Sequence, residues 1–120
     1  MTPTATGPDQ RARLLLVAAV VVNLLVLYLP DPPSVGGGDG LLSADTLVHV
    51  AVFAAVAWTG RAAGVPVVLL VAALVVHAVA SEVVQHLLLP GRTGDVRDVL
   101  ADLAGVGLGL LLPVRERVPA

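Results

Sequence analysis

The sequence has no cysteine, no lysine and almost no aromatic residues: one Trp, one Tyr and one Phe in 120 positions. Without Cys, disulfides, thiolate metal sites and cysteine nucleophiles are excluded. All seven basic residues are Arg, which together with the abundance of Ala, Val and Gly suggests a GC-rich genome and names no partner. Charge is scarce as well. Asp, Glu, Lys and Arg make up 13% of the chain and the net charge is −2, too little to attract nucleic acid or another polyion.

What remains is aliphatic. Hydrophobic residues are 57% of the chain and the mean hydropathy is +0.92. A soluble domain of this length needs more polar surface. Apolar mass made almost wholly of Leu, Val and Ala suits helices that face lipid. The expected fold class is therefore all-α, an integral membrane bundle of about four transmembrane helices.

The apolar runs support that expectation. Residues 1–13 are rich in Pro, Thr and Gly and read as a disordered cytoplasmic tail. The first run extends from Leu14 to Leu29, interrupted by Asn23 and preceded by Arg11 and Arg13. A signal peptide has a similar layout, and Ser34, Val35 and Gly36 resemble a cleavage site. The length of the run and the three apolar segments after it favour a retained helix. A Pro- and Gly-rich loop follows, then a second run from about Leu41 to Gly60 with Ser43 as its N-cap. A turn around Arg61 and Gly64 leads to a third run, Val65 to Leu89, with Pro66 in its first turn. The last run opens at Asp98 and stops at Pro113, and its roughly 15 residues fall short of the ~20 that a full crossing needs. Residues 14–113 thus form one transmembrane domain, and residues 114–120 a second cytoplasmic tail. With both termini cytoplasmic, Arg11, Arg13, Arg61, Arg115 and Arg117 lie inside and only Arg92 and Arg97 outside, as the positive-inside rule requires.

Ionisable residues inside such runs are the informative ones, because each costs about 2.5–3.5 kcal/mol near a bilayer centre on insertion scales. The second helix carries Asp45 and His49, the third Glu82, Gln85 and His86, and the fourth Asp98 and Asp102. Spacings of three and four put each set on one helix face. At about 1.5 Å per residue, His49, Glu82 and Asp102 lie some 6–10 Å from the outer ends of their helices. The three stripes share one layer in the outer leaflet, beneath Arg92 and Arg97. The residues expected to do chemistry are Glu82, His49 and Asp102. Asp45, Gln85, Arg92 and Asp98 are expected to contact substrate. Arg92 or His49 is the expected partner of Glu82. Asp45 and Asp98 also have a plainer role, favouring the positive end of a helix dipole. His77 and Asn23 read as structural.

These residues also match a family pattern. Asp45-x-x-x-His49, Glu82-x-x-Gln85, Pro90-Gly91-Arg92 and Asp98-x-x-x-Asp102-x-x-Gly105 occur in the order and membrane context of the VanZ-like family. The chain resembles that family of small multi-pass membrane proteins over about residues 14–112. Thr46 stands where members often have Lys, and Asp102 where they often have Asn, which makes this site more negative. The family takes its name from a protein associated with resistance to the glycopeptide teicoplanin. The resemblance therefore implies a bacterial plasma-membrane protein of the cell envelope.

Three functions follow as expectations. The first is binding or modification of an envelope lipid or glycan intermediate, with no cofactor and no nucleic acid involved. The second is a metal site built from the pairs Asp45/His49 and Glu82/His86, whose N and O ligands suit Zn, Mn or Fe. The third is a structural or regulatory subunit whose polar cluster only holds helices together.

Overall fold

Leu, Val and Ala side chains offer the backbone no competing hydrogen bonds, so long runs of them become helix wherever Pro and Gly are absent. A computed structural model describes residues 8–29, 44–89 and 96–114. It contains α1 (Pro8–Tyr28), α2 (Ala44–Ala62), α3 (Val67–Leu88) and α4 (Val96–Leu111). No strand occurs among the described residues. The all-α expectation holds.

The boundaries follow local chemistry. α1 starts at Pro8, ahead of the apolar run, so residues 8–13, expected to belong to a disordered tail, are helical. Pro suits a first helical turn, where its missing N–H has no partner to lose. α2 ends in a Schellman turn: Val65 N–H reaches Gly60 O and Gly64 N–H reaches Arg61 O, each at 3.0 Å. Gly64 has φ 87°, the left-handed conformation that this turn requires. Pro66 is the N-cap of α3, one place earlier than the first turn expected for it, and its carbonyl accepts Leu70 N–H at 2.9 Å. Leu89 closes α3 in extended conformation, the geometry a following proline imposes on its neighbour. Ser43, the expected N-cap of α2, lies outside the described residues.

The helices alternate in direction. Gln85 near the end of α3 bonds Leu27 near the end of α1, so these two run parallel. His49 near the start of α2 bonds Asp102 near the start of α4. Arg61 near the end of α2 reaches the last turn of α4, so α2 and α4 also run parallel. α2 touches all three other helices and packs most extensively on α4. That seam depends on two glycines. A Cβ at Gly105 would overlap the Val50 carbonyl oxygen, and one at Gly109 would sit 2.5 Å from Ala54 O. The G-x-x-x-G step lets the backbones meet.

The core is small: Leu27, Val52, Phe53, Val56, Ala57, Leu70, Leu74, Ala78 and Val106 form its buried cluster. Most other aliphatic side chains point outward. Only 17% of the apolar stretch Gln10–Tyr28 and 28% of Val67–Leu88 is buried against the rest of the protein. These two helices are long and apolar enough to cross a membrane. α4, at 16 residues, spans only about 24 Å, less than a ~30 Å hydrocarbon core. α2 carries Asp45, His49, Thr59 and Arg61 within its 19 residues.

A candidate carboxylate–imidazole site

The site forms where α2 and α4 begin and α3 ends. Asp45/His49 and Asp98/Asp102 are two i,i+4 pairs on parallel helices. The glycine seam one and two turns further along α4 brings the first turns of both helices side by side. Asp102 Oδ1 then lies 2.6 Å from His49 Nδ1. With the carboxylate ionised, Nδ1–H donates to Oδ1, which fixes the tautomer and leaves the Nε2 lone pair facing away from Asp102. Nε2 makes no hydrogen bond among the described residues. Instead Asp45 Oδ2 and Asp98 Oδ2 each stand 4.0 Å from it.

Burial grades across the cluster. His49 is 1% and Asp102 0% exposed, Glu82 7%, the Asp98 side chain 16% and that of Asp45 63%. The site is therefore open on the side where the helices begin and closed towards the bundle interior. One ligating atom each from His49, Glu82 and Asp102 lies within 4.8 Å of the others, and the same holds for Asp45, His49 and Asp98. Asp102 Oδ2 is buried and accepts no hydrogen bond among the described residues. Such an oxygen carries an appreciable desolvation cost that a bound proton, water or cation removes. The positive ends of the α2 and α4 dipoles favour the carboxylates of Asp45 and Asp98 in their first turns.

Five of the seven residues singled out from sequence thus meet: Asp45, His49, Glu82, Asp98 and Asp102. A carboxylate oxygen of Glu82 and a ring nitrogen of His49 lie within 4.8 Å of one another. Gln85 is buried beside them, but its Nε2 donates to Leu27 O at 2.7 Å, tying α3 to α1. In that position its amide nitrogen is already engaged. Arg92 lies outside the described residues. Arg97 is exposed at the same end of the bundle.

The pairing of Glu82 with His86 as metal ligands is corrected. His86 is exposed and joins neither cluster. Four residues advance a helix by a full turn plus about 40°, and in the last turn of α3 that offset carries His86 clear of α2 and α4.

Other polar groups bind helix to helix away from the site. His77 Nε2 donates to Asn23 Oδ1 at 2.8 Å, Asn23 Nδ2 donates to Val52 O at 3.3 Å, and Phe53 stacks on the His77 ring at 5.5 Å. Sequence reasoning missed a lock at the opposite end. Arg61 donates to Leu110 O at 2.6 Å and Leu112 O at 2.9 Å, and Trp58 Nε1 donates to Pro113 O at 2.9 Å. The available signal was Pro113 itself, because a helix that stops at proline leaves its last carbonyls in need of donors.

An imidazole held by one carboxylate and flanked by three more can move a proton or hold a cation. Compared with known proteins, the chain matches no family model, no curated protein and no solved structure.

Proposed function

We propose that this chain is a multi-pass protein of a bacterial plasma membrane, of VanZ-like type, whose carboxylate–imidazole site binds or modifies an envelope lipid or glycan intermediate. The observation that carries this reading is the convergence of Glu82, His49 and Asp102, all buried, at one end of a bundle whose exterior is aliphatic. Bringing so many ionisable groups out of water is costly, and in membrane proteins such groups mark working sites. The outward-facing Leu and Val of α1 and α3 would be a poor surface in water and an ordinary one in lipid.

All four helices are membrane-embedded in this reading. The shorter α4 lies where the bilayer thins or the chain re-enters. Arg11, Arg13 and Arg61 mark the cytoplasmic end, so the site opens to the outer leaflet beside lipid head groups. Glu82 is the proton-transfer group, Asp102 orients His49, and the exposed Asp45 lies at the mouth. Arg92, which follows α3 in sequence, holds a phosphate or carboxylate of the substrate through its planar fork. A link to glycopeptide resistance belongs to the same proposal.

A second reading has its own support. The bonds Gln85–Leu27, Asn23–His77 and Arg61–Leu110 all join helices and need no ligand. A structural or regulatory subunit would use the His49–Asp102 pair in the same way.

Deletion and complementation separate the two. Envelope phenotype, including teicoplanin sensitivity, is compared for wild type and Glu82→Gln at matched membrane abundance. Rescue by wild type alone supports a working site, and equal rescue by both moves the structural reading forward.

A further inference from the structure

We infer that Asp45, His49 and Asp98 bind one divalent transition-metal ion, Zn²⁺ or Mn²⁺, and that Asp102 positions the histidine ligand. His49 Nε2 belongs to a side chain 1% exposed, makes no hydrogen bond among the described residues, and points between Asp45 Oδ2 and Asp98 Oδ2. At 4.0 Å these oxygens are too far to accept a hydrogen bond from the ring. They are nearly right to share a cation with it. Bonds of about 2.1 Å in tetrahedral geometry set ligand atoms about 3.4 Å apart; the three ligand atoms here lie within 4.8 Å of one another, and the exposed Asp45 side chain has room to rotate inwards.

The other ring nitrogen supplies an independent argument. Metal-ligating histidines almost always donate their second N–H to a carboxylate or carbonyl, which fixes the tautomer and raises ligand basicity. Asp102 occupies that place at 2.6 Å from Nδ1. Its own Oδ2 is buried and accepts no hydrogen bond among the described residues, so Nδ1–H of His49 is the donor that holds this carboxylate in place there. The set of one nitrogen and two carboxylate oxygens suits Zn²⁺ or Mn²⁺, with the mouth beside Asp45 left for water. This ligand set replaces the Glu82/His86 pair with Asp98, and it leaves Glu82 as the proton-transfer group. It stands apart from the envelope reading, because a chain with no envelope phenotype would still bind the ion.

The test uses the full chain purified in detergent, stripped by a chelator, and titrated separately with Zn²⁺ and Mn²⁺. Bound metal is counted after dialysis and helicity is checked by far-UV circular dichroism. The expected result is one ion per wild-type chain. Affinity should fall about tenfold or more in Asp45→Asn and in Asp98→Asn, fall by roughly 10–100-fold in Asp102→Asn, and stay unchanged in His86→Ala. Asp45 is exposed, so Asp45→Asn keeps the test open if the buried variant fails to fold. The inference is overturned if neither ion binds stoichiometrically, if Asp45→Asn or a folded Asp98→Asn binds as wild type does, or if His86→Ala loses the ion.

Discussion

His49 on α2 and Asp102 on α4 are 53 positions apart in sequence and 2.6 Å apart in space, both almost fully buried. Asp102→Ala would leave a buried N–H without its acceptor, at a cost of about 1–3 kcal/mol, with a further loss from the cavity. Asp102→Asn should cost less, because an amide oxygen still accepts from Nδ1–H. Unfolding from mild detergent into SDS, followed by circular dichroism, gives the order wild type, Asn, Ala. Equal stability of all three would mean that the pair contributes nothing to the fold.

The α2–α4 seam makes a sharper expectation from two glycines a half-turn apart. Gly105→Ala places a Cβ against the Val50 carbonyl and the Phe53 Cβ, whereas Gly107→Ala meets nothing within 4 Å. The first should destabilise by about 1–3 kcal/mol as overpacking does. The second should be neutral or slightly stabilising, since Ala is the better helix former by roughly 1 kcal/mol. The same SDS titration decides, and a Gly105→Ala variant as stable as Gly107→Ala would contradict the close approach.

Arg61 donates to the carbonyls of Gly109, Leu110 and Leu112. Arg61→Ala should fray the last turn of α4. Amide exchange at Leu111 and Leu112 should quicken while the α3 core residues Leu74 and Ala78 stay protected, with a stability loss of about 1–3 kcal/mol for the lost charge-assisted bonds. Uniform protection across α4 in the variant would show that the lock is ornamental.

Val76 is 67% exposed near the middle of α3. If that face meets lipid, Val76→Arg should cost about 2.5–3.5 kcal/mol of insertion free energy and reduce the membrane-integrated fraction. If the face met water, the variant would be more soluble and equally stable. Fractionation after expression distinguishes these outcomes.

Because the sequence contains no Cys, single-cysteine variants report sidedness against a clean background. Val67→Cys and Val96→Cys both sit on exposed positions at opposite ends of the bundle. A membrane-impermeant maleimide added to intact cells should label Val96→Cys and spare Val67→Cys. The reverse pattern would invert the proposed topology and place the site on the cytoplasmic side.

The sequence by itself determined the all-α class, because helix formation is a property of a local run of side chains. Four Leu-, Val- and Ala-rich segments, punctuated by Gly64, Pro66, Pro90 and Pro113, define the four helices to within about three residues, apart from the start of α1, which lies six residues ahead of its apolar run. The spacing of Asp45 with His49, and of Asp98 with Asp102, is equally local, since the helical repeat alone puts each pair on one face. The exclusion of thiol chemistry needed composition and nothing else.

Which face meets which was decided only in three dimensions. Lateral register between helices depends on how closely backbones approach, and that is set by Gly105 and Gly109 against Val50 and Ala54. Only with that register does Asp102 reach Nδ1 of His49 while Asp98 and Asp45 flank Nε2. His86 shows the limit of periodicity: it shares a helix face with Glu82, yet a 40° offset at a helix end turns it out of the cluster. Arg61 shows it again, for a side chain counted as a topology signal is a cap on a different helix. Spacing along a chain orders residues around one axis, whereas a site needs several axes fixed against one another, and packing alone does that.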